Sequence, residues 1–283
     1  RRRQCPRRAA CLGKARSGPG RIPSRLDRGC SGTDASETKT NPVIVVAGAT
    51  GSGKSALALA LARAFGGAIV NADSQQVYRE LRILTARPTA AEEAQVPHSL
   101  FGCLSASMRC SAGRWLGLAL DAIAQIRRAG QLPIVAGGTG LFLKALLECI
   151  AEVPPVPPEA VRAAVARLAD IGGEAFRAEL AARDPESAAR LHSADRQRLV
   201  RAMTVVQATG VPLREWQRQA KDRAPNASPV GRFLILALAP PRTALNAALD
   251  ARFQAMMAAG ALDEVRALAA RHLDPPLPAL KAV

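Results

Sequence analysis

Nowhere in its 283 residues does the sequence carry eighteen consecutive apolar positions, so no segment has the makings of a membrane-spanning helix. Cysteines number six, at positions 5, 11, 30, 103, 110 and 149, and their spacings are not those of a zinc knuckle. Only three histidines are present, and neither His192 nor His272 has a partner at metal spacing, which leaves reduced thiols and a cytoplasmic setting as the expectation. Acidic residues are also scarce: 23 Asp and Glu stand against 39 Lys and Arg, a formal net charge of +16 that suits a polyanionic partner.

Half of that excess sits in residues 1–40, which hold 11 basic and 3 acidic residues among Pro, Gly and Ser. Without apolar periodicity this stretch has little to bury and is expected to be a disordered basic tail. It reads as a transit-like peptide, a nucleic-acid-binding arm or sequence from upstream of the true start. The rest, at 48% hydrophobic residues for the whole chain, can build a full-sized core.

Beyond the tail, strand and helix patterns alternate. Val43 to Ala47 reads as a buried strand, residues 54–65 as a helix, and Ala68 to Asn71 as a second strand. Apolar residues at 115, 116, 119, 120, 123 and 126 mark a helix stopped at Gly130, after which "LPIVAGGTGLFLKALL" repeats the plan of strand, glycine turn and helix. Such alternation predicts a parallel sheet covered on both faces. The proline-rich "EVPPVPPEA" at 152–160 ends the pattern, and only helical stretches follow until "RFLILALAP", Arg232 to Pro240, brings one more buried strand. Helices over about 242–259 and 261–271 come next, with Met256 and Met257 on a core-facing side, and the chain then stops without a cap. The expected architecture is α/β: a P-loop sheet over 41–152, a helical insertion over 153–230, and a return to the sheet over 231–283 that is cut short.

The most specific local signal is "GATGSGKS", where Gly48, Gly53, Lys54 and Ser55 satisfy the phosphate-loop pattern between a strand and a helix. Backbone amides of Gly48, Ala49, Thr50, Gly51, Ser52 and Gly53 can close on phosphate oxygens, Lys54 supplies a point charge, and Ser55 can reach Mg²⁺. The turn therefore binds a diphosphate or triphosphate. A phosphate-transferring enzyme adds an apolar strand that ends in an acidic metal residue. Here the later strand ends "IVAGGTG", with Thr139 in that neighbourhood, and the acid comes from Asp73 at the end of the second strand. Asp73 fits a general base in the crevice of a doubly wound sheet, or else an N-cap. His98 and Trp115 read as packing or loop residues.

The segments "GATGSGKS", "ADSQQVY", "TARP", "VPH", "GGTGLF", "DRQRLVRA" and "LDARFQAMMAAGALDEVRAL" together resemble bacterial tRNA dimethylallyltransferases over about residues 43–283. The phosphate loop is shared with many enzymes, whereas the combination of "DSQQVY", "GGTG" and "QRLVRA" is far more specific. What the resemblance implies is a P-loop NTPase-like fold with an inserted tRNA-binding lobe, acting as a monomer. The implied donor is dimethylallyl diphosphate and the implied acceptor is the adenosine 3′ of the anticodon in a tRNA anticodon stem-loop. By the same resemblance Asp73 takes the amine proton, Thr139 lies beside the reacting carbon, and Arg252 clamps the departing diphosphate with Lys54, Ser55 and Mg²⁺. Ser74, Gln75, Gln76, Arg162, Gln197, Arg198, Leu199, Val200 and Arg201, together with Asp73 and Thr139, match tRNA-contact positions. Arg196 and Arg198 also read as a plain solvated helix face.

Departures from the family pattern are local. Leu84 stands where a glycine precedes the "TAKP"-like segment, Arg87 replaces its lysine, and a tyrosine common near Cys110 is absent. A further tRNA-binding segment would begin at Val283. Two other readings compete: a P-loop small-molecule or nucleoside kinase, with Asp73 activating a hydroxyl, and an RNA-binding module without catalysis.

Overall fold

The computed structural model describes residues 42–148, 151, 153–223, 230–275 and 277–282, all within one compact unit, Lys39–Val283. The basic tail expected over residues 1–40 lies outside the described residues. Five parallel strands form one sheet: β1 (Val43–Gly48), β2 (Gly67–Asn71), β3 (His98–Ser99), β4 (Leu132–Gly137) and β5 (Phe233–Leu238), in the spatial order β3-β2-β4-β1-β5.

Both faces of the central strands are buried, and the two faces alternate residue by residue. Val43, Val45, Val70 and Val135 point into a cluster with Trp115, Ile123 and Phe142 from the helices α3 (Ala112–Arg128) and α4 (Gly140–Leu147). Ile44, Val46, Ile69 and Ile134 point the other way, onto Ala58 and Ala62 of α1 (Lys54–Phe65). That alternation explains why these strands read as unbroken apolar runs. The register pairs Ala47 with Gly137 and Asn71 with Ala136, so the carboxyl ends of β1, β4 and β2 stand side by side.

A four-residue helix, α2 (Ala90–Glu93), carries a capping box in which Thr89 and Glu92 satisfy each other's backbone amides, though the sequence reading passed over it. The two-residue strand β3 went unread for the same reason: both elements are too short to show a period. α5 (Pro158–Ala181), α6 (Pro185–Arg190), α7 (Arg196–Thr209) and α8 (Leu213–Arg223) follow, with no strand among the described residues between them, and α5 is interrupted at Gly172, where φ is 79°. This lobe has its own core of Leu168, Phe176, Leu180, Leu199 and Met203. Asp184 and Asp195 start α6 and α7 by accepting the amides of Ser187 (3.0 Å) and Arg198 (3.2 Å).

Two expectations need correction on the far side of the sheet. β5 forms where expected, paired with β1 from Val43–Phe233 to Gly48–Leu238, but it is not a buried strand: Leu234 and Ile235 are about half exposed. The helix α9 (Arg242–Ala258) contains no buried residue, and Met257 is 44% exposed, so the methionines do not face a core. An edge strand has a neighbour on one side only, and its apolar composition does not reveal that.

Candidate active site

β1 delivers the chain to the phosphate loop, and α1 begins at Lys54 behind Gly53, whose φ of 87° is a left-handed backbone that glycine adopts without strain. No side chain caps this helix start, so its first amides keep their capacity for an anion. Lys54 Nζ donates to the carbonyl of Ala49 at 2.9 Å, which folds the ammonium back over the loop. Burial pushes the Lys54 ammonium below its ordinary range; Asp73 opposes that shift and Arg252 adds to it.

Asp73 sits at the carboxyl end of β2, in a bend organised by Asn71. The fully buried Asn71 side chain accepts the Asp73 amide at 2.8 Å and donates to the carbonyls of Asp73 (3.0 Å) and Leu100 (3.1 Å). Its own carbonyl accepts the indole N–H of Trp115 at 2.8 Å, and that indole lies flat against Phe142. Asp73 Oδ1 accepts the Gln75 amide at 2.9 Å, while among the described residues Oδ2 accepts no hydrogen bond. The acid is thus oriented through one oxygen and available through the other. Sequence reading missed Asn71, because a polar residue closing an apolar strand looks like ordinary turn chemistry.

The glycine turn after β4 locks onto this bend. A side chain at Gly137 would come within 2.2 Å of the Ala72 backbone, so only glycine lets the two strand ends lie this close. Thr139 Oγ1 then accepts the Ser74 amide at 2.9 Å, tying the "GGTG" turn to the Asp73 bend.

Arg252 reaches the same place from α9. Its Nη2 donates to the carbonyl of Thr85 at 3.2 Å, and burial holds the guanidinium below its usual range, with Asp73 opposing. Gln76 Nε2 braces the same loop through the carbonyls of Thr85 (2.8 Å) and Ala86 (3.2 Å). Glu264 of α10 (Ala261–Ala269) accepts the amides of Ile83 (2.7 Å) and Leu84 (3.4 Å). A cavity of about 230 Å³ opens between these parts. Thr50, Lys54, Ser55, Asp73, Gln75 and Arg252 line its polar side, with apolar residues beyond. Lys54 and Arg252 are balanced on the wall by Asp73 and Glu92, so the capacity for an anion comes from the two cations together with the free amides at the start of α1. Neither Thr139 nor Ser74 is on the cavity wall, and their hydrogen bond braces the bend that carries Asp73, which is.

The remaining expected contact residues lie in the helical lobe. Arg162, Gln197, Arg198 and Arg201 are exposed; Arg198 pairs with Asp195 at 3.1 Å and Gln197 Oε1 accepts Lys281 Nζ at 3.3 Å. Although Arg201 is exposed overall, partial desolvation holds its guanidinium below the usual range. Val200 is half-buried. Leu199 differs: its side chain is fully buried in the lobe core, so it supports the arginine-bearing face from behind and does not reach a partner itself.

Among the described residues no group of three or more His, Cys, Asp or Glu side chains could cage a metal. Ser55 on the cavity wall beside the phosphate loop fits the other mode, in which Mg²⁺ keeps most of its waters and is carried by substrate phosphates with a protein hydroxyl. No helix among the described residues is long and apolar enough to cross a membrane.

Comparison with known proteins follows this geometry. The profile of the family described as IPP transferase matches residues 76–283, and that described as isopentenyl transferase matches residues 41–97. A tRNA dimethylallyltransferase of Bradyrhizobium sp. (strain BTAi1) is 53% identical over 242 residues, 86% of this chain and 78% of that protein. One from Rhodospirillum centenum is 54% identical over 245 residues, 86% of this chain and 77% of the relative. Among solved structures, the tRNA isopentenylpyrophosphate transferase of Bacillus halodurans superposes with a TM-score of 0.56 at 26% identity, over 85% of this chain and 74% of that one. A eukaryotic dimethylallyltransferase acting on tRNA gives 0.68 at 28% identity, over 83% of this chain and 58% of its own.

Proposed function

Because the chain belongs to the IPP transferase family, we propose that it transfers a dimethylallyl group from dimethylallyl diphosphate to tRNA, onto the exocyclic amine of the adenosine 3′ of the anticodon. The observation that carries this reading is the shared cavity: an uncapped phosphate loop, Lys54, Arg252 and the half-committed carboxylate of Asp73 all face one space. β4, the strand beside β1, ends at Gly137 and is followed by Gly138 and Thr139, so the position where a phosphate-transferring enzyme holds its metal acid is empty of charge. That favours attack at carbon over attack at phosphorus.

In this reading the amine lone pair forms the new C–N bond as the bond from carbon to the diphosphate oxygen breaks, its electron pair leaving with the diphosphate. Asp73 Oδ2 receives the amine proton. Lys54, Arg252 and the amides at the start of α1 stabilise the negative charge that develops on the leaving group. Bound through the diphosphate with Ser55, Mg²⁺ would neutralise part of the same charge. Extruding the adenine from its loop costs a few kcal/mol, and the exposed arginines of α7, with Arg162, supply backbone contacts to offset it. Ser74, Gln75 and Gln76, on the bend beside Asp73, stand where the flipped base would enter.

Incubating the protein with Mg²⁺, tRNA and either dimethylallyl diphosphate or ATP tests the reading. Prenylated adenosine and released diphosphate are expected from the first mixture and no phosphate transfer from the second. Phosphorylation of any acceptor with ATP, without prenylation, would replace this reading with the kinase.

A further inference from the structure

Residues 81–87 form one closed turn of backbone, and three of them, Leu84, Thr85 and Ala86, reach the cavity wall. The Arg87 amide donates to the carbonyl of Arg82 at 3.0 Å and the Ala86 amide to that of Ile83 at 2.9 Å, the nested pair that ends a helical turn. Ala86 takes the left-handed position of that pattern, with φ of 46°, which a residue bearing a Cβ keeps only where its surroundings enforce it. The Thr85 hydroxyl adds a bond to the carbonyl of Leu81 at 2.6 Å.

The two ends of this turn meet opposite charges. Its early amides, those of Ile83 and Leu84, donate to the two oxygens of Glu264 at 2.7 and 3.4 Å. Its last carbonyls accept from residues of the cavity wall: Thr85 takes Arg252 Nη2 at 3.2 Å and Gln76 Nε2 at 2.8 Å, and Ala86 takes the same Gln76 nitrogen at 3.2 Å. A carboxylate on the amide end and a guanidinium on the carbonyl end both follow the dipole of the turn. Glu264 can hold its end because α10 is itself anchored. Leu268 is buried in the core with Trp115 and Phe142, and Arg271, just past the helix, pairs with Glu80. α9 buries no residue, so the Thr85 carbonyl is what Arg252 is aligned on.

We propose that Glu264 is a positioning residue: by gripping the amides of Ile83 and Leu84 it sets the Thr85 carbonyl, and through that carbonyl the place of the Arg252 guanidinium at the cavity. The proposal rests on the prenyl-transfer reading above, in which Arg252 stabilises the departing diphosphate. Glu264 is absent from the cavity wall, so it acts through the turn and not on the substrate. Glutamine in its place keeps one acceptor oxygen but turns an NH₂ group toward the second amide, which loosens the turn without removing the side chain.

A double-mutant cycle tests it, with kcat/KM for dimethylallyl diphosphate and tRNA as acceptor measured in the parent, Glu264→Gln, Arg252→Ala and the double variant. Glu264→Gln is expected to lower kcat/KM about tenfold in the parent but by less than about twofold in Arg252→Ala, where the guanidinium it places is already gone. Equal losses in both backgrounds, the mark of a merely structural role, overturn the proposal, as does a folded Glu264→Gln with the parent's kcat/KM. Should Glu264→Gln fail to fold, Glu264→Asp, which keeps both oxygens and withdraws them by one methylene, decides by the same outcomes. A parent that transfers no prenyl group sinks the functional reading itself. The same cycle read on pyrophosphate affinity by calorimetry then decides the role of Glu264, with equal losses or no affinity in the parent counting against it.

Discussion

Asp73 and Arg252 meet at one cavity, yet the regions that present them differ in how firmly they are built. The bend bearing Asp73 joins a strand buried along its whole length, is bracketed by three hydrogen bonds from a fully buried asparagine, and is braced by Thr139. The helix bearing Arg252 buries none of its residues, and among the described residues a single bond to the Thr85 carbonyl positions the guanidinium. In the proposed roles, an acid that must meet a proton needs its direction set in advance, whereas a cation that follows a departing anion gains from freedom to move. Substitutions on the first side should therefore couple activity to stability, and those on the second should separate them.

The largest expected effect is at the acid itself. Asp73→Ala should lower turnover by about 10² to 10⁴ while dimethylallyl diphosphate binding, read by calorimetry, stays near the parent value. Equal loss of binding with unchanged turnover would remove Asp73 from the chemistry. Next comes its support: Asn71→Ala leaves the Asp73 amide and the Leu100 carbonyl without their partner, at about 2–4 kcal/mol in urea unfolding, and kcat should fall more than the donor KM rises. A stable variant with normal kcat would break the contrast between the two regions.

A pH titration sharpens it further. Burial lowers the folded Lys54 pKa below 10.5, and a bound diphosphate favours the ammonium and raises it again. Binding therefore takes up protons in the alkaline range, and donor affinity falls as pH rises through the depressed value. Calorimetry in two buffers of different ionisation enthalpy should register that uptake, and Lys54→Arg should abolish it. The smallest effect is expected on the other flank, where Met257→Gln should change unfolding free energy by no more than about 0.5 kcal/mol. A cost of several kcal/mol would mean that α9 is held as firmly as β2.

The strand, turn and helix from Val43 to Phe65 could be read from sequence because apolar period, glycine and Lys-Ser coincide within a few residues. The alternation of strands and helices was equally plain in "LPIVAGGTGLF", whose glycines later proved to touch the Asp73 bend. Burial of β5 was misread, since "FLILAL" has the composition of a central strand and only pairing on one side distinguishes an edge. Glu264 was missed because its partners are backbone amides of a distant loop, which leave no spacing in the sequence, and the bond from Asn71 to the Leu100 carbonyl is hidden in the same way. The cavity's apolar side was hidden for a related reason: Leu59, Ile69, His98 and Phe101 belong to different segments, and of these the sheet register pairs Ile69 with His98.

Trp115 offers a consequence of a different kind. Its indole is wedged between Phe142 and the carbonyl of Asn71, two residues from the acid. The chain's other tryptophan, Trp216, sits on the helical lobe. Indole emission is sensitive to its hydrogen bond and to nearby charge, so the protein carries a built-in optical reporter of what happens at the Asp73 bend. Once Trp216 is silenced by phenylalanine, loading of donor and of RNA can be followed in real time without a label.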